Sequence, residues 1–142
     1  MRVLAVLLFG VLIFILTCTK SVQDFIFYRQ LYFQWNPHPD FSKFLDFSSY
    51  PFDSPTYVFQ KMGHGMFFFL FSFLLRRVTY TFKFVFTIGC SFAFATEFAQ
   101  LFFSRTGCLL DVLYDSVGVL SYCSIFLIIT KGQYAYKDFH DK

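Results

Sequence analysis

Four long apolar runs govern what this chain can fold into. They cover residues 3–19, 56–75, 82–104 and 110–130. An α-helix rises about 1.5 Å per residue, and the hydrocarbon core of a bilayer is about 30 Å thick. Each of the last three runs is long enough to cross, and the first nearly so. Inside lipid a backbone must satisfy its own hydrogen bonds, which favours helices for runs of this length. The runs predict an all-α integral membrane protein, a four-helix bundle with an interfacial segment between spans one and two. One domain, 1–142, is expected, with spans at about 3–19, 56–75, 82–104 and 110–130 and an outer loop at 20–55.

Composition agrees. Hydrophobic residues make up 56% of the chain, charged residues 15%, and there are 25 Phe. Mean hydropathy is +0.54. A soluble domain of this size rarely reads so apolar. The net charge of +3 is small and its cations are scattered between apolar runs, so nucleic acid is not an expected partner. The first run, "VLAVLLFGVLIFILTCT", is charge-free between Arg2 and Lys20 and also has the look of a signal peptide. No small-x-small cleavage site follows it, and Thr17 before Cys18 suits a lipoprotein site poorly, so a retained helix is expected. The four cysteines form no CxxC pair, and neither a metal nor a cofactor is expected from them. Their positions leave a Cys18–Cys108 disulfide open.

Between the first two spans, "SVQDFIFYRQLYFQW" opens with Ser21 and has Asp24 three residues later, a helix-start signature. Its aromatic residues alternate with polar ones on too many faces to cross a membrane, and an interfacial helix is predicted. "NPHPDFSKFLDFSSYPFDSPTY" carries all four prolines and reads as irregular, with one short helical turn after Asp40. The bias of basic residues places both termini in the cytoplasm. Arg2, Arg76, Arg77, Lys83, Lys131, Lys137 and Lys142 then lie inside, and the long loop mixes Lys20, Arg29 and Lys43 with four Asp outside.

Ionisable groups within the later spans are the unusual feature. An ionised side chain facing lipid near the bilayer centre costs ~2.5 kcal/mol or more, so such groups turn inward and pair. By the i, i+3, i+4 rule, Lys61, His64 and Phe68 share one face of span two. Glu97 and Gln100 share a face of span three with Ala93 and Ser104, and Asp111 and Asp115 share a face of span four with Gly118 and Tyr122. All three stripes fall in the outer half. Converged, they offer Lys61 and Arg105 as cations for Glu97, Asp111 and Asp115, with His64 between them. Gly63, Gly65 and Gly118 would let the backbones approach. The run "MFFFLFSF" reads as lipid-facing and packing surface.

This ordered set resembles the VanZ-like family of small bacterial membrane proteins. The resemblance covers about Lys61 to Gly118 and rests on "KMGH", "EFAQ", "SRTG" and "DVLYDSVG". Phe103-Ser104 stands where the family often has Pro-Gly before its Arg. The resemblance implies a multi-pass protein of the bacterial cell membrane that lowers susceptibility to teicoplanin and related lipoglycopeptides.

A binding site of Lys61, His64, Glu97, Gln100, Arg105, Asp111 and Asp115 is therefore expected. Its partners would be membrane lipids, with a lipid-linked envelope precursor or a lipoglycopeptide as ligand. Arg105 and Lys61 would hold an anionic group while the carboxylates orient them. Two alternatives stay open. One is acid–base catalysis on a lipid-linked substrate, with Glu97 or His64 as the proton carrier. The other is a structural accessory protein, with Glu97 in an ion pair, His64 a packing residue and Asp111 a helix-end charge. A metal held by Glu97, Asp111, Asp115 and His64 is chemically allowed but not expected, because Lys61 and Arg105 compete for the same oxygens. No Ser nucleophile with a base and no phosphate loop appears, so an enzyme would rest on the clustered ionisable groups alone.

Overall fold

The computed structural model describes residues 1–47, 51–79 and 81–140, with side chains apart from those of Gln23 and 134–140. Part of the expected irregular loop, residues 48–50, and the last two residues of the polar tail lie outside this set. Every regular element among the described residues is helical. They are α1 (Arg2–Cys18), α2 (Val22–Tyr28), a 3-10 turn (Phe41–Leu45), α3 (Pro55–Arg76), α4 (Phe82–Phe102) and α5 (Leu109–His140). Three stretches are long and apolar enough to cross a membrane: Pro55–Arg76, Phe82–Phe102 and Leu109–Gln133. The 17-residue α1 is apolar but shorter.

Local sequence sets the ends. Pro55 opens α3 where a missing N–H costs nothing. Below α3, the Arg76 guanidinium donates to the Thr79 carbonyl at 2.9 Å and lies over the Phe82 and Phe126 rings at 5.1 and 5.0 Å. Ser21 caps α2 as its spacing predicts, accepting from the Asp24 N–H at 3.1 Å. That helix is only seven residues long, because Arg29 turns left-handed at φ 55°. The expected turn after Asp40 is present, with Asp40 accepting from the Ser42 N–H and hydroxyl. These two bonds hold the exposed Asp40 carboxyl below its ordinary pKa.

Past Thr130 the polar tail continues α5 to His140 as helix. No proline interrupts it, and Gly132 alone does not stop it.

The most extensive interface joins α3 and α5, which run parallel. Lys61 meets Asp111, Gly65 meets Gly118, and Phe69 meets Tyr122. Between them α4 runs antiparallel to both, placing Glu97 beside His64, Phe92 beside Phe68 and Gly89 against Val119. A Cβ at Gly118 would overlap the carbonyl oxygen of Gly65, so this crossing requires glycine. Gly65 lies 3.5 Å from the Tyr114 carbonyl by the same measure. A Cβ at Gly63 would meet nothing within 4 Å, so Gly63 takes no part in the crossing, which corrects the expectation that it would.

Packed against α3 and α4, α1 sets Phe9 on Phe67 and Gly10 beside Phe71 and Phe92. The connection after α2 folds back onto the outer face of α4. Trp35 stacks on Phe102 at 5.7 Å, Phe41 on Phe98 at 5.8 Å, and the Asn36 N–H donates to the Phe102 carbonyl. Of the "MFFFLFSF" run, Phe68 and Phe71 are buried and Met66, Phe67 and Phe73 exposed, so the run packs inward and also presents apolar surface outward.

Burial is inverted relative to a water-soluble bundle. Leu4, Leu7 and Leu8 on α1, Met62 on α3 and Leu113 and Val117 on α5 are exposed, whereas Glu97 and Asp115 are 0% exposed and Asp111 is 4% exposed. Apolar surface outside and charge inside is the distribution a lipid solvent selects.

Candidate functional site

Near the α4–α5 turn, three helices each contribute two polar side chains one turn apart. Lys61 and His64 come from α3, Glu97 and Gln100 from α4, and Asp111 and Asp115 from α5. The structure brings all six together. Lys61 Nζ lies 2.7 Å from both carboxylate oxygens of Asp111, and over the Tyr57 ring at 5.0 Å. Asp111 is the third residue of α5, where the helix dipole adds to the pull of Lys61.

His64 sits between the two deepest carboxylates. Its Nδ1 is 3.4 Å from Asp115 Oδ1 and 3.8 Å from Glu97 Oε1. Glu97 is fixed from two further sides. Its Oε1 accepts from Gln100 Nε2 at 2.6 Å, and its Oε2 accepts from the Cys108 N–H at 3.3 Å. This second bond ties α4 to the start of α5. Asp115 is less satisfied, since both its oxygens are buried with no hydrogen-bond partner.

Arg105 behaves differently from the other six. Its guanidinium donates to the Lys20 carbonyl at 2.8 Å and its backbone N–H to the Gln100 carbonyl at 3.0 Å. Among the described residues it has no ion pair, and its buried Nε has no hydrogen-bond partner. The expectation that Arg105 would neutralise one of the carboxylates is therefore corrected: the turn directs it toward the end of α1. Glu97 likewise pairs with neither Lys61 nor Arg105.

The turn itself is tightly folded. Ser104 takes φ 55°, the left-handed region that favours glycine. A Cβ at Gly107 would overlap the carbonyl oxygen of Glu97, so the chain there lies directly on the last turns of α4. The four cysteines are all free thiols, so the open Cys18–Cys108 disulfide is not formed.

A cavity of about 480 Å³ opens beside this network, between α1, α2, α3 and the α4–α5 turn. Lys20, Lys61, His64, Gln100 and Arg105 line its polar part, together with Asp111, whose charge Lys61 neutralises. Ile13, Leu16, Phe67 and Phe68 line it one to two turns deeper along α1 and α3. Glu97 and Asp115 stand behind this wall.

Several lining residues were not among the expected site residues: Thr56, Gln60, Thr17, Lys20, Ser21 and Thr106. The first two carried a signal, since Thr56, Gln60 and His64 repeat at four-residue spacing and so share a helix face. The others come from the end of α1 and from turns, whose placement no periodicity encodes. Chemically, the wall can accept an anion at Lys61, Lys20 and the spare guanidinium N–H of Arg105, and it can move a proton at His64.

Over 124 residues the chain is 36% identical to the uncharacterized membrane protein YwnJ of Bacillus subtilis (strain 168), covering 86% of this chain and 89% of that protein. No protein-family model matches the chain, and no solved structure matches it.

Proposed function

This chain belongs to the family of the membrane protein YwnJ, and it is a multi-pass membrane protein; we propose that it captures an anionic headgroup of a lipid or lipid-linked envelope component in the outer-leaflet cavity. One observation carries this reading. Cationic and hydrogen-bonding groups (Lys20, Lys61, His64, Arg105) line the cavity near the helix ends, and Ile13, Leu16, Phe67 and Phe68 continue it into the apolar layer. A molecule with a charged head and an apolar tail matches that order of surfaces. The free guanidinium Nε of Arg105 adds a donor that a phosphate oxygen would satisfy.

In this reading α1 is a fourth crossing. Its 17 residues extend about 26 Å, close to the thickness of a thin bilayer. Four crossings would put both termini on one side, and the bias of basic residues argues that this side is the cytoplasm and that the cavity faces outward. A fluorescent protein fused after Lys142 is then expected to fluoresce, and alkaline phosphatase fused after Phe47 to be active. A silent phosphatase there reverses the orientation.

The VanZ-like reading supplies the cellular role: a cell-envelope protein that lowers teicoplanin susceptibility by occupying or repositioning the antibiotic's lipid-linked target. Support comes from the convergence of Lys61, His64, Glu97, Gln100, Asp111 and Asp115 on one network. It also comes from Ser104, which adopts the left-handed backbone that the glycine usual there in VanZ-like proteins would adopt freely. Expression in a sensitive Gram-positive host is expected to raise the inhibitory concentration of teicoplanin severalfold. Arg105→Gln should lose that protection at normal membrane abundance. Absence of protection by the wild type removes the teicoplanin role and leaves headgroup capture to be judged on binding.

A catalytic reading has one observation of its own: His64 lines the cavity while its Nδ1 faces two carboxylates. Such a histidine can pass a proton between a bound substrate and Glu97 or Asp115. Turnover of a lipid-linked substrate that is lost in His64→Gln with binding retained would favour this reading over capture alone.

A further inference from the structure

Competition from Lys61 and Arg105 is the reason a metal is not expected from the sequence. The structure removes that competition. Lys61 is engaged by Asp111 at 2.7 Å, and Arg105 donates to a backbone carbonyl. Glu97 and Asp115, both 0% exposed, are left with His64 as their shared partner. Two ionised carboxylates beside one imidazole carry a charge of minus two, or minus one with the imidazole protonated. Buried charge of that size needs a compensating ion or proton.

We propose that His64 Nδ1, Glu97 Oε1 and Asp115 Oδ1 form a binding site for a divalent transition-series ion, of the class of Zn²⁺ or Mn²⁺. One ligand atom from each of the three residues lies within 4.8 Å of the other two. Two of the separations, 3.4 and 3.8 Å from His64 Nδ1, compare with the edge of a tetrahedral shell, about 3.4 Å for metal–ligand bonds of about 2.0–2.1 Å. The third edge, between the two carboxylates, is no longer than 4.8 Å, and rotation of the carboxylates toward a shared cation would close it. Asp115 provides an independent observation: both its oxygens are buried with no hydrogen-bond partner, and Oδ1 is the one that faces His64 Nδ1 at 3.4 Å.

The surroundings have the features of a metal's outer shell. Gln100 Nε2 donates to Glu97 Oε1 at 2.6 Å, and the Cys108 N–H donates to Oε2, which fixes the carboxylate's orientation. One imidazole with two carboxylates suits first-row divalent ions better than Mg²⁺ or Ca²⁺, which prefer all-oxygen shells. Three protein ligands leave a further position for water. This site does not depend on headgroup capture.

The test uses the full chain in detergent micelles, stripped with EDTA and dialysed against Zn²⁺, Mn²⁺ or Co²⁺, with bound metal counted by mass spectrometry. The expected result is about one ion per chain, the stoichiometry of a single site. His64→Gln and Asp115→Asn should abolish it, and Gln100→Ala should weaken it about 10–100-fold. His38→Gln, at an exposed histidine outside the site, should leave it unchanged. A folded wild type that binds none of the three ions overturns the proposal, as does binding that survives both ligand substitutions. Where those variants do not fold, the Co²⁺-loaded wild type decides. Visible d–d bands without a thiolate charge-transfer band support the site, and a thiolate band or no d–d band overturns it.

Discussion

Gly118→Val is expected to remove folded protein from the membrane. Any Cβ at this position would overlap the backbone oxygen of Gly65, and a backbone cannot rotate aside as a side chain can. The two helices must separate, and their separation pulls Lys61 from Asp111 and opens the most extensive interface of the fold. Overpacking a well-packed contact costs about 1–3 kcal/mol when side chains can yield. Here they cannot, so a larger loss is expected, set against a total stability of about 5–15 kcal/mol. Gly63→Ala is the matched control. Nothing lies within 4 Å of its would-be Cβ, and alanine favours helix over glycine by about 0.8–1.0 kcal/mol. Thermal unfolding in detergent, with membrane abundance measured alongside, should show Gly118→Val lost and Gly63→Ala at or slightly above wild type. Equal behaviour of the two variants would contradict the close α3–α5 crossing.

Lys61→Met should be nearly as damaging, for an electrostatic reason. The pair it forms with Asp111 is largely buried, with side-chain exposures of 10% and 6%. Removing one member leaves an uncompensated buried charge, which costs about 3–5 kcal/mol. Replacing both members by apolar residues of similar size is often neutral or stabilising in such a setting. Lys61→Met with Asp111→Leu is therefore expected to recover most of the melting temperature lost in Lys61→Met alone. A single variant as stable as the wild type would contradict a buried Lys61–Asp111 pair.

The helices and their polar faces were legible because both are local properties. Span lengths follow from the bilayer's thickness. Lys61 with His64, Glu97 with Gln100 and Asp111 with Asp115 follow from the pitch of a helix. Which group meets which was not legible. Three carboxylates lie within about one helical turn of each other, and the rotation of α5 against α3, set by Gly118 on Gly65, decides that Asp111 takes Lys61 and that Asp115 faces His64. Gly63 and Gly65 differ by two residues and so point to opposite sides of α3; no local signal says which side meets α5. The direction of Arg105 is not encoded locally for a different reason. A turn residue has no periodicity, and its guanidinium is aimed by Ser104 and Gly107, whose backbone demands appear only once the turn is packed on α4. The composition of the aromatic connection after α2 predicts an interfacial segment. Its seating on Phe98 and Phe102 is a long-range contact that composition does not encode.

Capture of an anionic headgroup is tested most directly by native mass spectrometry of the full chain released from nanodiscs containing phosphatidylglycerol. The wild type is expected to retain one phospholipid through detergent removal, and Arg105→Gln to lose it while keeping a melting temperature close to wild type. A wild type that emerges free of phospholipid, or an Arg105→Gln variant that retains it to the same extent, would contradict headgroup capture in the cavity.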